Sequence, residues 1–201
     1  MTLRLGLMGG AFDPIHHGHL FIAEAARAHF CLEKVLFIPT GRPPHKRRLN
    51  EADPLDRLRM TELAVATNPY FQVSRMEIDR EGLSYSVDTV TALLEEYGAD
   101  TEIWFITGAD AILEVMNWHD AEKLRTLCRF ITATRPGYDL CDLKKLPERW
   151  QERIYPLETP LLQISSTDLR LRVAEGRPVK YLLPEAVEGY IREHGLYQEG
   201  E

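Results

Sequence analysis

A chain of 201 residues, 44% hydrophobic and 27% charged, has the composition of a globular protein with enough length for one sizeable core. Its net charge of −7 argues against nonspecific nucleic-acid binding, and no apolar run nears the roughly 20 residues that a membrane-spanning helix needs. Cys31, Cys128 and Cys141 are odd in number and lack CxxC spacing, which reads as reduced thiols in a cytoplasmic protein rather than a disulfide frame or a zinc site.

The first strand is predicted over Leu3 to Met8, stopping at Gly9-Gly10. The N-terminal MTLRLGLMGG does not fit a signal peptide, because its apolar run is short and no small-residue cleavage site follows. Leu20, Ile22, Ala23, Ala26 and Phe30 give a helical face from about Gly18 to Phe30, and Val35 to Pro39 reads as a buried strand. Gly41 to Asn50 is a basic, proline-containing loop. Asp53-Pro54 supplies an N-cap and a first-turn proline for a helix to about Thr67. A strand is expected over Phe71 to Ile78, a helix over Val87 to Tyr97, and a strand over Ile103 to Thr107 ending at Gly108. Helical stretches near Ala111–Met116 and Ala121–Leu127 lead to a strand over Phe130–Thr134. Then come a strand around Ile154–Leu157, a helix after Ser166 and a last helix from about Pro184 to His194. Alternating strands and helices with doubly buried strands predict an α/β, Rossmann-like, doubly wound and mostly parallel sheet with helices on both faces. Without repeats or linkers, residues 1–201 read as a single domain, with ligands beyond the carboxyl ends of the strands.

The string Gly9-Gly10-Ala11-Phe12-Asp13-Pro14-Ile15-His16-His17-Gly18-His19 joins the first strand to the first helix. Two glycines remove Cβ atoms where the chain turns and a phosphate can approach, and the helix start offers free N–H groups to an anion. Neither GxxxxGK(S/T) nor GxGxxG is formed. His16 and His19, three residues apart, share a face of the first helical turn, where they can donate to phosphate oxygens as charge develops. HExxH is absent, and no companion cluster of metal ligands appears. Near the other end, Ser165, Ser166 and Thr167 begin a predicted helix, and Arg170 lies one turn beyond Ser166, suited to a phosphate by its planar fork. Three further stretches are candidates for a second substrate: Pro43-Pro44-His45-Lys46, Ser84 through Thr89, and Gly108-Ala109-Asp110 through Trp118-His119. A solvated turn explains the first as well as a phosphate site does, and helix capping alone would explain the hydroxyls of the second. Trp118 fits the core or a flat surface for an aromatic ring.

GGAFDPIHHGH resembles the (H/T)xGH signature of the nucleotidyltransferase superfamily, in a form similar to bacterial nicotinate-nucleotide adenylyltransferases. Ile164 to Arg170 (ISSTDLR) resembles that family's second motif, ISST-x-(I/L)-R, more than 140 positions away. Phosphopantetheine adenylyltransferases usually carry threonine where this chain has His16, and Ala11 departs from the Ser or Thr common after the glycine pair. The resemblance implies adenylyl transfer from ATP to nicotinate mononucleotide, giving deamido-NAD and pyrophosphate in NAD biosynthesis. His16, His19 and Arg170 would be catalytic. Gly9, Gly10, Phe12, Gly108, Asp110, Ser165, Ser166 and Thr167 would join them around ATP, with Asp110 also a candidate for a ribose hydroxyl. His45, Lys46, Tyr85, Ser86, Trp118 and Arg135 would surround the acceptor. Mg²⁺ is expected with ATP, held mainly by phosphates and water, with no metal site built by the protein. No nucleic acid or membrane partner is expected, and a homo-oligomer is compatible with the sequence. The alternatives are adenylyl transfer to another phosphate acceptor, such as phosphopantetheine, and a noncatalytic nucleotide-binding sensor.

Overall fold

Strands made of unbroken apolar runs must be covered on both faces. The computed structural model, which describes residues 2–44, 51–133, 140–160 and 162–198, meets that demand with six strands. These are β1 (Arg4–Gly10), β2 (Lys34–Pro39), β3 (Phe71–Val73), β4 (Glu102–Gly108), β5 (Cys128–Ala133) and β6 (Ile154–Leu157). They form one sheet in the order β3-β2-β1-β4-β5-β6, and every pairing is parallel. Side chains alternate between two cores. Leu5, Leu7, Leu36, Ile38, Ile103 and Phe105 enter one, while Met8, Val35, Phe37, Trp104 and Ile106 enter the other. The second face is covered by α1 (His17–Phe30), α2 (Pro54–Val65), α8 (Ser166–Ala174) and α9 (Glu185–Glu193). The first is covered by α4 (Ser86–Tyr97), α5 (Ala109–Leu113), α6 (Ala121–Leu127) and α7 (Glu148–Gln151). Because β1 lies between β2 and β4, the strand order reverses there, and a crevice opens at their carboxyl ends. This is the doubly wound architecture expected from the sequence.

Local differences have local causes. The strand expected over Phe71 to Ile78 stops at Val73, and Met76–Asp79 forms a short helix, α3. The Ser74 hydroxyl accepts the Met76 N–H at 3.4 Å, and an Arg75–Asp79 ion pair at 2.7 Å favours the helical turn. Pro54 does begin α2, but the Asp53 side chain makes no capping bond. The helix expected near Ala111 starts at Ala109, directly after β4, and gives way to a 3₁₀ turn at Val115–Asn117. A 3₁₀ segment, Leu140–Lys145, and α7 had no sequence expectation. Most of the expected basic loop, from His45 to Asn50, lies outside the described residues. Among the described residues no helix is long and apolar enough to cross a membrane.

The crevice is framed by a charge buried in α2. Arg57 is only 5% exposed. Its guanidinium donates to the carbonyls of Ala11 and Thr40, both at 2.7 Å, and of Ala52 at 3.3 Å. One side chain thus fixes the chain just beyond β1, the end of β2 and the entry to α2. Arg57→Met removes all three donors, so unfolding free energy should fall by about 2–4 kcal/mol in urea titrations. Arg57→Lys should recover only part of this, because an ammonium lacks the planar fork. Wild-type stability in Arg57→Met would show that the frame holds without the guanidinium.

Candidate active site

The first motif turns differently from expectation. Gly9 and Gly10 are still strand residues, paired with Ile38 and Pro39, and the left-handed residue is Phe12, at φ 51°. The glycines serve proximity instead: a Cβ on Gly10 would stand 3.3 Å from the Phe12 ring. Phe12 is buried and presents its ring edge-on to His19, with centroids 5.2 Å apart. His16 occupies the N-cap of α1, and its imidazole stacks on that of His19 at 3.7 Å. Nδ1 of His19 accepts the His16 backbone N–H at 3.3 Å, so in its neutral form the ring carries its proton on Nε2. Gly18 makes room for this arrangement, since a Cβ there would lie 3.0 Å from both Cε1 and Nδ1 of His16.

The second motif is fastened onto the first. Ser165 caps α8 by accepting the Asp168 N–H at 3.1 Å. The Ser166 hydroxyl donates to the Pro14 carbonyl at 2.9 Å, and Arg170 Nη1 donates to the Asp13 carbonyl at 2.7 Å. Arg170 also lies 3.5 Å from the Asp13 carboxylate. The starts of α1 and α8 are thereby held side by side, so the two strings form one cluster of His16, His19, Ser166 and Arg170. Asp13 is 3% exposed, and its Oδ1 accepts the Ala52 N–H at 3.1 Å and the Tyr197 hydroxyl at 2.7 Å. Burial pushes its carboxyl above the usual carboxylate range, against the opposing effects of the Tyr197 and Ala52 hydrogen bonds and the Arg170 and Arg57 charges. Thr167 stands exposed on the first turn of α8.

Beside this cluster is a cavity of about 490 Å³ at the carboxyl ends of β1, β2 and β4. Of the residues singled out in the sequence, Gly9, Gly10, Pro43, Pro44, Ser84, Tyr85, Ser86, Thr89, Trp118 and His119 line it. Trp118 meets Phe105 at 5.7 Å, and Tyr85 stacks on His119 at 4.1 Å. Ser86 is the first residue of α4, whose opening N–H groups have no partners inside the helix. Gly108 is the N-cap of α5, and Asp110 lies in its first turn. His45, Lys46 and Arg135 lie outside the described residues. Sequence reasoning missed Glu77 and Tyr197. Glu77 sat within an expected strand, and nothing in its neighbourhood marked it.

The sequence profile of cytidylyltransferase-like proteins matches residues 7–172. A probable nicotinate-nucleotide adenylyltransferase from Moorella thermoacetica is 57% identical over 97% of this chain and 92% of its own length. One from Thermoanaerobacter sp. is 51% identical over 99% and 96%. The solved structure of Plasmodium falciparum nicotinic acid mononucleotide adenylyltransferase complexed with NaAD covers 97% of each chain with a TM-score of 0.81. At 20% identity that last likeness is one of fold.

The Asp13 network makes a prediction about pH. Tyr197→Phe deletes one of two donors to a buried carboxylate and should cost about 1.5–3 kcal/mol of stability at pH 7, read by urea denaturation. The lost donor favours the ionised form, so the variant's native Asp13 titrates higher than that of the wild type. As pH falls through these native values Asp13 becomes neutral in both proteins, and the deficit should shrink. A deficit independent of pH between 4 and 7 would mean that Asp13 does not titrate in that interval, and would overturn the prediction.

Proposed function

The chain belongs to the cytidylyltransferase-like family and, within it, to the nicotinate-nucleotide adenylyltransferases, and from that premise we propose that it transfers the adenylyl group of ATP to nicotinate mononucleotide, giving deamido-NAD and pyrophosphate. The observation that carries the site assignment is the continuity of cavity and histidine cluster. Gly10 lines the cavity, Phe12 lies against Gly10, and His19 lies against Phe12. An acceptor in the cavity and ATP phosphates over the histidines would meet along this loop.

On the acceptor side, Trp118 offers its face to the pyridine ring. The nicotinate carboxylate is assigned to Tyr85, Ser86 and the start of α4, where unpaired N–H groups and the helix dipole favour an anion. His45, Lys46 and Arg135 keep the acceptor's phosphate on the strength of the sequence pattern. On the ATP side, Gly108 and Asp110 are assigned to the nucleoside, and Ser165, Ser166 and Thr167 to the phosphates. Arg170 Nη1 is engaged by Asp13, so its other nitrogens face the phosphates.

An oxygen of the acceptor phosphate forms the new bond to the α-phosphorus as the bond to the α–β bridging oxygen breaks and pyrophosphate leaves. A phosphate monoester with a second pKa of about 6 is largely dianionic at neutral pH, so no general base is required. The protein's contribution is alignment, together with donors placed where charge accumulates on the leaving group: His16, His19, Arg170 and the starts of α1 and α8. Among the described residues no group of three or more His, Cys, Asp or Glu could hold a metal. Mg²⁺ is assigned to the substrate on the grounds of ATP chemistry: held mainly by phosphates and water, it would neutralise phosphate charge. The whole chain is read as one nucleotidyltransferase domain acting in the cytoplasm, a setting that suits the free thiols of Cys31 and Cys128.

Two measurements test this reading. His19→Ala should lower kcat by about 10²–10³-fold with a much smaller change in ATP affinity, because the donor acts on charge that appears in the transition state. Wild-type turnover in a folded variant would remove His19 from the mechanism. Pyrophosphate release with nicotinate mononucleotide and nicotinamide mononucleotide in parallel should show a preference of about 10- to 10⁴-fold in kcat/KM for the acid. The amide turns its own donors toward protein donors. Ser86→Ala should narrow the ratio, and equal use of both acceptors would overturn the carboxylate assignment.

A further inference from the structure

The wall of the cavity contains a charged group that the mechanism leaves unused. Glu77, on α3, lines the cavity and is 7% exposed. Its Oε1 accepts the Thr89 hydroxyl at 2.7 Å, and Thr89 in turn accepts Arg80 Nη1 at 3.0 Å. The Ser84 side chain lies beside the same carboxyl, and its oxygen accepts the Arg42 N–H at 3.2 Å. Ser84 and Arg42 are joined a second time by Ser84 N–H to the Arg42 carbonyl at 2.8 Å. The backbone leaves as little freedom as the side chain, since a Cβ on Gly41 would collide with the Glu77 carbonyl.

One relay has a fixed direction: Arg80 donates to Thr89, and Thr89 directs its own proton to Glu77. It ends on the Glu77 carboxyl beside the double Ser84–Arg42 tie to the Gly41–Pro44 turn. Resting on the acceptor assignment above, we propose that Glu77 is the positioning residue that sets acceptor affinity: it pins the first turn of α4 through Thr89 and backs the Ser84–Tyr85–Ser86 entry against the proline turn. Its burial supports this. Desolvation holds the carboxyl above the usual range, while Thr89, Ser84, Arg80 and Arg57 oppose that rise.

Glu77→Gln keeps the shape but replaces one acceptor oxygen with an NH₂ group. Either Thr89 or Ser84 then faces an NH₂ group in place of an acceptor oxygen, which moves a hydroxyl that lines the cavity. KM for nicotinate mononucleotide should rise about tenfold to a hundredfold, the equivalent of one lost charge-assisted hydrogen bond. KM for ATP and kcat at saturating acceptor should stay within about twofold. Thr89→Val breaks one relay without touching Glu77 and should shift the same constant in the same direction. The Glu77→Gln, Thr89→Val double variant should cost less than the sum of the two, because both act through one relay. Thr89→Val also serves as the test if Glu77→Gln does not fold. An unchanged acceptor KM in folded variants, or an equal loss toward ATP and acceptor, would overturn the proposal. A wild-type enzyme that forms no deamido-NAD would instead sink the functional reading itself.

Discussion

Taking the Asp13 carboxyl out of water is costly, and the fold offsets that cost with donors drawn from remote parts of the chain. Ala52 and Tyr197 bond its oxygen, and the charges of Arg170 and Arg57 lie close enough to oppose the effect of burial. Arg170 also bonds the Asp13 backbone, and Ser166 bonds the neighbouring Pro14. Each tie spans a large sequence separation, 157 positions for Arg170 and 184 for Tyr197. The consequence is that the loop after β1 has its geometry only when α2, α8 and the segment after α9 have all docked. The histidine pair is therefore a product of the complete fold.

Around that anchor the site divides into two kinds of surface. The cluster is made of donors: imidazoles, a guanidinium and the openings of two helices, suited to dispersed phosphate charge. The cavity is walled by Trp118, Phe105, Pro43 and Pro44 with a few polar groups, suited to a flat ring carrying one charged substituent. Gly10, Phe12 and His19 lie in sequence between the two. A buried phenylalanine thus stands between the donor cluster and the cavity. Its left-handed backbone turns the chain from strand to helix.

Much of this was legible in the residues. Strings such as Val35 to Pro39 and Ile103 to Thr107 announced doubly buried strands because parallel sheets leave no polar face to encode. Ser165 was legible as a cap because capping is a local hydrogen bond, to Asp168 three positions on. His16 and His19 were legible as a pair from their three-residue spacing at a helix start, but their stacking depends on the extended backbone of His16 at the N-cap. Glu77 was not, because its role depends on Ser84 and Thr89, which reach it only after α3 and α4 pack on β2 and β4. The premature end of β3 escaped for a related reason: Ser74 diverts the chain by one side-chain bond that strand periodicity does not register.

The sequence by itself determined the class of fold and the two phosphate-type motifs, since both rest on interactions within a few residues: alternation, capping and helical spacing. Tertiary structure alone decided that those motifs form one site, that Gly9 and Gly10 stay in the strand while Phe12 turns, and that Asp13, Arg57 and Glu77 become buried nodes. The physical reason is that a buried charge is tolerated only where several donors converge. Convergence of groups more than a hundred positions apart, as for Arg170 with Asp13, is a property of the packed chain that no local pattern carries.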